Sequence, residues 1–469
     1  MKNHAKAMFI ALLMSISLLT GCGENGSDKI VLKIGFWPES SDTQDVAMYE
    51  KWAERFQADY PQYEIKGMPY TYSTETVMQK YSVGSLPDVW QTWFTEPSKL
   101  MEKNVIRPIT SQLNALGWAE KMDDEMKAQL TFNNDIYGVP RDGYGLGLLI
   151  NKRILGDNGF LPEINGKYSI YNTNGTPAYP TTFEEIREIS EEIVDMDNVK
   201  GFMMYSSNKN GGWVFSNMAW NYGAELEKQD ATGKWLANLD DAGAVSALEW
   251  IKEMKVNGCL QDAVACVYND WYSHIGERVA MAVVGSDVLQ NAKLLGGVEM
   301  DDLAFVPMPS GDDTHRYSLY GGTPFVFTKG VSDEKVEGIL KFFSYIGRSP
   351  DTSENNLLAK KEGYEVAVKK AQPILPSIMP WKDPAFVSEA KALENRYVNV
   401  NMADYAPFFD NIANNKHSEV PYNAQEMYEA LDTAIQSVFS QKEMANCKAL
   451  LTTASSTLQN KLNEGVNQK

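Results

Sequence analysis

The sequence predicts an α/β protein of two lobes, each a mostly parallel sheet flanked by helices, joined by a hinge. The chain has 469 residues, which is more than one hydrophobic core usually serves. Its hydrophobic content of 43% and charged content of 22% are typical of globular proteins. Its first segments follow the order strand, helix, strand, which predicts a parallel sheet. A polar segment before a short apolar run, within residues 137–152, suits a chain that passes between lobes.

The first lobe is predicted to begin with a strand over residues 29–36, where apolar and other residues alternate. A helix follows over 44–60, with Trp52 on its apolar face and therefore in the core. A second strand covers 63–68, and residues 84–90 are a turn into a short third strand, followed by a loop over 91–96. Ligands of such sheets bind beyond the carboxyl ends of the strands. The candidate ligand-binding residues near these ends are Trp37, Glu39, Asp42, Trp90, Trp93 and Glu96.

Residues 137–152 are predicted to be the crossing between the lobes. Pro140 and Gly143 predict a break in the chain, and the apolar run 146–150 predicts a buried strand. Asp142 and Tyr144 then face the crevice. An ordinary loop before an ordinary strand is the alternative. A second crossing is predicted over 303–309, so that the hinges lie near Pro140 and Pro307.

The first 21 residues are predicted to be a signal peptide, because two early lysines precede a short apolar run. The sequence Leu19-Thr20-Gly21-Cys22 resembles the lipobox of bacterial lipoproteins. That resemblance implies cleavage before Cys22 and lipid attachment to its sulfur, with residues 22–28 as a tether. A plain signal peptide that contains a cysteine is the alternative. The expected location is the extracytoplasmic face of the bacterial cell membrane.

The charge and the motifs that are missing exclude several function classes. A net charge of −19 argues against nucleic acid, and it disfavours a strongly anionic ligand unless a local Arg or Lys compensates. No Walker loop, dinucleotide fingerprint, nucleophile elbow or zinc helix occurs. We therefore expect no cofactor, no metal and no catalytic residue. Cys259 and Cys266 leave two possibilities open, a disulfide or buried thiols.

Several short motifs occur in a characteristic order after the lipobox: Phe56, Tyr60 and Pro61; Gly84, Pro87, Asp88 and Val89; residues 137–140; Asn151 and Lys152. This order resembles the extracellular solute-binding proteins of bacterial ABC importers, in their carbohydrate-binding branch. The resemblance implies a two-lobed periplasmic-binding-protein-like fold that holds a sugar and delivers it to permease subunits. The predicted lobes comprise residues 29–140 and 304–350, and residues 141–303 and 351–469.

The predicted second lobe contains two further segments that resemble the family. Thr181 or Thr182 is predicted to cap a structural helix whose buried face includes Ile186. Residues 279–287 form a buried strand and a turn, with Asp287 where the family pattern has tryptophan. A stacking residue is thereby replaced by a hydrogen-bonding one.

Residues 211–223 place aromatic and amide side chains on one face of a predicted helix that opens at a pair of glycines. The candidate residues there are Trp213, Asn217 and Trp220, for which a core position is the alternative. Tyr320, Gly321 and Gly322 precede a returning strand, and the glycines are expected to let backbone approach a ligand. Trp381, in a proline-rich loop, is expected to add a stacking face, and the segment 359–469 is predicted to be helical.

Aromatic side chains near acids and amides suit an oligosaccharide, because flat rings cover the apolar face of a sugar and carboxylates accept from its hydroxyls. The predicted function is capture of an oligosaccharide by a monomeric lipoprotein, without a covalent step. A secreted glycoside hydrolase and a binder of a non-sugar solute on the same fold are the alternatives.

Overall fold

The computed structural model describes residues 29–197 and 199–468. The predicted signal peptide, the tether and Cys22 lie outside the described residues. Within them, no helix combines the length and hydrophobicity needed to cross a membrane.

The strands of the described residues form one large sheet and three two-stranded hairpins. In chain order they are β1 (Ile30–Ile34), β2 (Tyr63–Gly67), β3 (Val89–Gln91), β4 (Thr131–Phe132), β5 (Asp135–Ile136), β6 (Val139–Asn151), β7 (Glu163–Ile164), β8 (Lys167–Tyr168), β9 (Lys200–Met203), β10 (Glu227–Gln229), β11 (Trp235–Ala237), β12 (Val279–Gly285), β13 (Leu303–Val306), β14 (Ser318–Phe327) and β15 (Lys416–Ser418). The large sheet has the order β2-β1-β3-β14-β6-β12-β9, with β13 beside β6 and β15 beside β14.

Helices lie between and after these strands. They are α1 (Thr43–Asp59), α2 (Val77–Ser82), α3 (Pro97–Glu102), α4 (Thr110–Ala115), α5 (Asp124–Gln129), α6 (Lys152–Asp157), α7 (Phe183–Asp197), α8 (Asn210–Asn221), α9 (Ala242–Val256), α10 (Trp271–His274), α11 (Asn291–Leu294), α12 (Asp333–Phe343), α13 (Glu354–Lys369), α14 (Pro384–Glu394), α15 (Ala406–Ile412), α16 (Ala424–Gln441) and α17 (Cys447–Glu464). Side-chain caps start many of them; Asp42 and Asp241, for example, accept from backbone N–H groups of α1 and α9.

The predicted α/β fold class is confirmed. Parallel pairing joins β2, β1 and β3 in the first half of the sheet, and β12 and β9 in the second. The core contains Trp52 and Phe56 of α1, which are 4% and 0% exposed. Burying a side chain such as Phe56 contributes roughly 1.5–3 kcal/mol. The prediction that Trp52 is a core residue is confirmed.

Two long antiparallel strands, β6 and β14, connect the halves of the sheet, with Tyr320 opposite Gly145 and Phe325 opposite Val139. The predicted break over residues 139–143 is wrong, because these residues belong to the continuous strand β6. Pro140 faces Pro324, where the register shifts. Neither proline has an N–H to donate, and the shift absorbs the irregularity without interrupting the strand.

The return crossing also differs from its prediction. Strand β13 pairs with the end of β6, from Leu303 opposite Asn151 to Val306 opposite Leu148. It therefore stays in the second half of the sheet, and β14 returns the chain to the first half. The crossing predicted over residues 303–309 is wrong, because this short apolar strand completes a sheet rather than leaving it.

The C-terminal segment contacts both halves of the molecule. Glu362 of α13 accepts hydrogen bonds from Trp52 Nε1 at 2.7 Å and from Arg55 Nη2 at 2.7 Å, which attaches α13 to α1. Helix α16 packs instead on α8 and α17. The predicted lobe boundaries remain a prediction, and these contacts favour moving α13 to the first lobe.

Cys266 is a buried thiol rather than half of a disulfide. Burial, with a smaller effect of the nearby Asp270 carboxylate, raises the pKa of this thiol to about 12. The thiolate fraction at neutral pH is therefore very small, which makes Cys266 an unreactive core residue.

Candidate functional site

The candidate site is a cavity of about 300 Å³ beside the crossing strands. The loop after β3, the middle of β6, the start of α8, the loop after β12 and the start of α16 contribute its walls. It is lined by Trp93, Tyr144, Asn208, Lys209, Asn210, Trp213, Tyr268, Asp287, Val288, Thr323, Glu419, Gln425 and Tyr428. The structure thus brings together four residues predicted from the sequence: Trp93, Tyr144, Trp213 and Asp287.

Three aromatic side chains form one wall of the cavity. The ring centroid of Trp213 lies 5.9 Å from that of Tyr144 and 5.3 Å from that of Tyr268, with interplanar angles of 76° and 78°. Such edge-to-face contacts are favourable and fix the angles between rings. Trp213 is half-buried, so part of its indole remains accessible. On another side of the cavity, Trp93 is 42% exposed. The cavity therefore offers ordered aromatic surface to a ligand.

The position of Trp213 follows from how α8 begins. Lys209 precedes the helix in a left-handed conformation, with φ of 69°. The backbone N–H groups of Lys209 and Gly212 donate to the Asp432 carboxylate of α16 at 2.6 and 2.8 Å. A Cβ at Gly212 would lie 2.2 Å from the Tyr428 carbonyl oxygen. Glycine is therefore needed for the start of α8 to touch α16.

Asp287 projects into the cavity directly after β12. Its side chain is exposed to solvent, yet the surrounding cavity walls remove part of its hydration. This desolvation, together with the Asp142 charge, raises the pKa of Asp287 to about 6. A Cβ at Gly285 would lie 2.6 Å from Asp287 Oδ1, so the carboxylate lies close over the end of the strand. Asp287 can accept hydrogen bonds from a ligand when it is ionised.

Glu419 is a second carboxyl group of the cavity. Its Oε1 accepts a hydrogen bond from the Tyr428 hydroxyl at 2.7 Å. Burial raises the pKa of Glu419 to about 7, although the Tyr428 hydrogen bond opposes the shift. The cavity therefore combines aromatic rings with two acids that titrate close to neutral pH.

Several cavity residues were not predicted: Asn208, Lys209, Asn210, Tyr268, Val288, Thr323, Glu419, Gln425 and Tyr428. Glu419, Gln425 and Tyr428 lie in the C-terminal segment, where the sequence pattern indicates only helices. The one local signal is Pro421, which predicts a loop. Their role depends on α16 packing on α8, and this contact between distant segments leaves no local pattern.

Contacts also cross the mouth of the cleft. Lys209 Nζ lies 3.3 Å from Thr74 Oγ1 and 3.5 Å from the Glu75 carboxylate. Near it, Gln425 Nε2 donates to Thr95 Oγ1 at 3.1 Å. A second cavity of about 900 Å³ also contacts Trp93, Lys209 and Gln425. The site therefore continues outward as a groove beyond these contacts.

Three predicted tryptophans are core residues, so their predicted ligand contacts are wrong. Trp90 is 0% exposed, stacks on Tyr72 and donates from Nε1 to Thr328 Oγ1 at 3.0 Å. Trp220 is 2% exposed and stacks on His417 with centroids 3.8 Å apart. Trp381 is 4% exposed and packs against Trp118. For each of these indoles, packing in the interior is more favourable in free energy than exposure at the protein surface.

Asn217, Glu96 and Tyr320 also have structural positions instead of the predicted ones. Asn217 is buried, and its side chain donates to the Tyr317 carbonyl at 2.8 Å and accepts from Leu319 N at 3.1 Å. These two hydrogen bonds satisfy backbone groups at the start of β14. Glu96 is buried and accepts from the Tyr72 hydroxyl. Tyr320 is buried, with the Lys416 ammonium 4.5 Å from its ring centroid.

Gly321 and Gly322 permit close approach of the protein's own groups. A Cβ at Gly321 would lie 2.7 Å from the Tyr144 hydroxyl oxygen, and one at Gly322 would lie 2.3 Å from the Asp142 carbonyl. The expectation that ligand occupies this space is corrected accordingly. The Asp142 carboxylate accepts from Thr323 N at 3.2 Å and pairs with Arg141.

The remaining predicted residues follow β1 and lie outside the cavity lining. Trp37 packs over Gly67 and has its ring centroid 5.3 Å from that of Tyr49. Asp42 caps α1 and forms an ion pair with Lys370 at 2.8 Å. Glu39 is exposed. The structure does not bring these three residues to the aromatic cavity.

Comparison with known proteins agrees with this architecture. Residues 51–388 match the family described as "Bacterial extracellular solute-binding protein". No curated protein is significantly similar to the chain in sequence.

Similar solved structures include maltose-bound MalE3 of T. maritima, with 15% identity, a TM-score of 0.64, and coverage of 92% of this chain and 99% of that one. The cyclic alpha-maltosyl-1,6-maltose binding protein of Arthrobacter globiformis has 14% identity, a TM-score of 0.66, and coverage of 93% and 100%. UgpB of Mycobacterium tuberculosis, in complex with glycerophosphocholine, has 17% identity, a TM-score of 0.66, and coverage of 94% and 100%. These similarities show the two-lobed binding-protein fold. With the family match across most of its length, the chain belongs to the bacterial extracellular solute-binding proteins.

Proposed function

We propose that the protein captures an oligosaccharide in the cavity beside the crossing strands and presents it to the permease of an ABC transporter. One observation carries this proposal: accessible rings of Trp93 and Trp213 share a cavity with the carboxyl groups of Asp287 and Glu419. Similar folds hold maltose in one structure and glycerophosphocholine in another. The fold alone does not select the ligand, and the cavity chemistry favours a sugar.

The geometry suits a sugar ring because the cavity is both flat-walled and polar. An indole covers the C–H face of a pyranose, while ionised carboxylates accept charge-assisted hydrogen bonds from its hydroxyls. The groove of about 900 Å³ beyond Lys209 gives room for further rings. We infer that the ligand is an oligosaccharide rather than a single sugar.

Binding without turnover is part of this proposal. Two carboxyl groups in one cavity are also what a glycoside hydrolase needs. The family, however, consists of binding proteins, and the sequence contains no hydrolase motif. Incubation with labelled xylo-, manno- and gluco-oligosaccharides is expected to leave them intact. Sugar cleavage that disappears in Asp287→Asn and Glu419→Gln variants would establish the hydrolase instead.

The ligand class is tested by thermal unfolding with an oligosaccharide panel, because a ligand that binds only the native state raises the melting temperature. At a concentration of about 100 Kd, a bound sugar adds about 2.7 kcal/mol of stability. A matched panel of peptides and glycerophosphodiesters serves as control. Stabilisation by the control panel but by no sugar would refute the oligosaccharide proposal.

We further propose that the protein is a monomeric lipoprotein on the extracytoplasmic face of the bacterial membrane. The family supports the extracytoplasmic location, and the lipobox-like sequence before Cys22 supports the anchor. Mass spectrometry of the mature N-terminus is expected to find acylated Cys22. The Cys22→Ser variant should leave the membrane fraction, and its retention there would contradict the anchor.

A further inference from the structure

Two partly buried cations in the first half of the molecule form no ion pair with any described residue. Arg348 follows α12, and within the described part of the chain its side chain makes one hydrogen bond, from Nη1 to the Arg141 carbonyl at 3.5 Å. Lys360 of α13 has its ammonium 5.4 Å from the Phe386 ring centroid. Among the ion pairs of the described residues, neither cation occurs, whereas the adjacent Lys361 pairs with Glu365 at 3.5 Å. Both side chains have lost much of their hydration, and neither has a carboxylate of the described residues within ion-pair distance.

The backbone brings these two cations together. Gly347 has φ of +73°, and a Cβ there would lie 2.9 Å from Lys360 Cγ and 3.1 Å from Lys360 N. The residue before Arg348 is therefore packed directly on the stem of Lys360. Arg141 of β6 adds a third cation beside Arg348. We call Arg348, Lys360 and Arg141 the basic corner.

The acidic side chains near the basic corner already form hydrogen bonds or ion pairs with other residues. Asp142 pairs with Arg141 and accepts from Thr323 N. Glu394 accepts from Ser377 Oγ at 2.5 Å and from the Tyr364 hydroxyl at 3.2 Å. Burial and the Arg348 charge lower the pKa of Lys360 to about 8. The cations therefore remain incompletely compensated, which is costly for partly buried charges.

The basic corner adjoins the aromatic cavity along β6. Arg141 Nη2 lies 3.4 Å from Thr323 Oγ1, and Thr323 lines the cavity. Arg141 Nη1 also reaches Gln91 Oε1 of β3 at 3.1 Å. Each cation of the corner keeps part of its surface accessible. A ligand that lies on the aromatic wall can therefore extend towards the corner.

We propose that the basic corner binds an anionic group of the ligand, a carboxylate, sulfate or phosphate ester, so that the captured sugar is acidic. An anion here gains charge-assisted hydrogen bonds from the Arg348 guanidinium and the Lys360 ammonium. The net charge of −19 slows the approach of such a ligand but does not prevent a local contact. The identity of the ligand as a sugar rests on the proposed function, whereas the anion site is independent of it.

Two measurements separate a free anion from an acidic sugar. Thermal unfolding is followed in sodium sulfate and in sodium chloride at equal ionic strength, and sulfate is expected to give the higher melting temperature. Calorimetry then compares uronic-acid-containing oligosaccharides with neutral ones of the same length. We expect the acidic sugars to bind at least about tenfold more tightly, as charge-assisted contacts worth about 1.4 kcal/mol would give.

Because sulfate stabilises proteins in general, the readout is the difference in sulfate response between variants. Arg348→Gln and Lys360→Gln should show a smaller sulfate response than the native protein and should lose the preference for acidic sugars. Lys361→Gln, on the same helix, should keep both. If Arg348→Gln does not fold, Lys360→Gln and Lys360→Met still test the corner. Equal affinity of the native protein for acidic and neutral sugars would overturn the proposal, as would a sulfate response that Arg348→Gln and Lys360→Gln retain in full. Failure of every sugar to bind would refute the proposed function, while the sulfate response would still report on the corner.

Discussion

At the scale of single residues, the cavity is governed by carboxyl groups whose pKa values lie near neutral pH. Asp287 and Glu419 have pKa values of about 6 and about 7, in both cases chiefly because the cavity walls desolvate the ionised form. A carboxylate accepts hydrogen bonds from sugar hydroxyls more strongly than its protonated form does. Ligand affinity and protein stability should therefore respond to pH in opposite directions.

The pH dependence of Asp287 gives the first prediction. A folded-state pKa raised to about 6 means that its contribution to stability is present at low pH and is lost as pH rises through 6. Sugar affinity should instead fall by up to about tenfold per pH unit below 6. Calorimetry from pH 5 to 8 measures this loss. Asp287→Asn should bind more weakly and remove the step near pH 6, leaving a step near 7 from Glu419.

Glu39→Gln is the matched control for this measurement, because Glu39 is an exposed acid outside the cavity. It should reproduce the unmodified pH profile. A profile of Asp287→Asn that keeps the step near pH 6 would show that another group causes it.

A pair of tryptophans gives the second prediction. Trp213→Ala removes a cavity wall and should weaken sugar binding about tenfold, since aromatic contacts contribute about 0.5–1.5 kcal/mol beyond buried area. Trp90→Ala leaves a void in the core and should reduce the free energy of unfolding by about 3–5 kcal/mol. Calorimetry and urea unfolding measure both variants. Trp213→Phe should restore part of the affinity. A large loss of stability in Trp213→Ala with unchanged affinity would assign Trp213 to the core.

These two tryptophans also show what the sequence reveals about the site. Trp213 was predicted because it lies beside two glycines at a helix start, and the structure places it at the cavity. Trp90 lies at the end of a predicted strand and is an equally plausible candidate in the sequence, but Tyr72 and Thr328 enclose it in the structure. Thr328 is more than two hundred residues away in the chain, so no local pattern distinguishes the two.

At the scale of elements, α16 holds the start of α8 in place. Asp432 accepts from the backbone of Lys209 and Gly212, and so acts as an N-terminal cap supplied by another helix. The sequence predicts α8 with its glycine opening, and it predicts helix in the C-terminal segment. It does not predict that the two helices touch, because Asp432 is simply one acid on a helix until the fold positions it.

The third prediction concerns this cap. Asp432→Ala should lower the free energy of unfolding by about 0.5–2 kcal/mol, the usual loss for an N-cap. It should also weaken sugar binding, because Trp213 lies in the first turn of α8, the helix that loses this cap. Asp432→Asn keeps one acceptor and should be intermediate in both respects. Ser440→Ala, an exposed position on the same helix outside both cavities, is the control. An Asp432→Ala variant with normal sugar affinity would show that α8 does not depend on this contact.

At the scale of the whole molecule, the two halves meet through two long strands and a few polar contacts across the cleft. Lys99 of α3 lies 2.5 Å from Glu426 of α16, and Gln425 donates to Thr95 beside it. The sequence predicts the α/β class and a crossing within residues 137–152, because a polar segment there precedes the apolar run of β6. It does not predict that β6 continues through Pro140. That continuity depends on Pro324, which lies opposite Pro140 on β14 and is where the register shifts.

The fourth prediction tests the contact across the cleft. Lys99→Glu places two like charges opposite each other and should favour more open conformations. A partly exposed pair contributes about 0.2–1 kcal/mol, so sugar affinity should fall by a few fold. Small-angle scattering should show a larger radius of gyration without ligand. The double variant Lys99→Glu with Glu426→Lys should restore both values. No change in either value for the single variant would exclude a role of this pair in closure.

The pairing of β6 with β14 also constrains how the molecule can move. Backbone hydrogen bonds join the two connecting strands side by side, from Tyr320 and Gly145 to Phe325 and Val139. A hydrogen-bonded ribbon resists sharp bending but accepts additional twist, since strands are twisted already. Separation of the two halves should therefore occur by twisting of β6 and β14 about their long axis. The ladder of backbone hydrogen bonds between the two strands limits the angle of this twist. The register shift at Pro324 is the weakest point of that ladder, and it is where such torsion would concentrate.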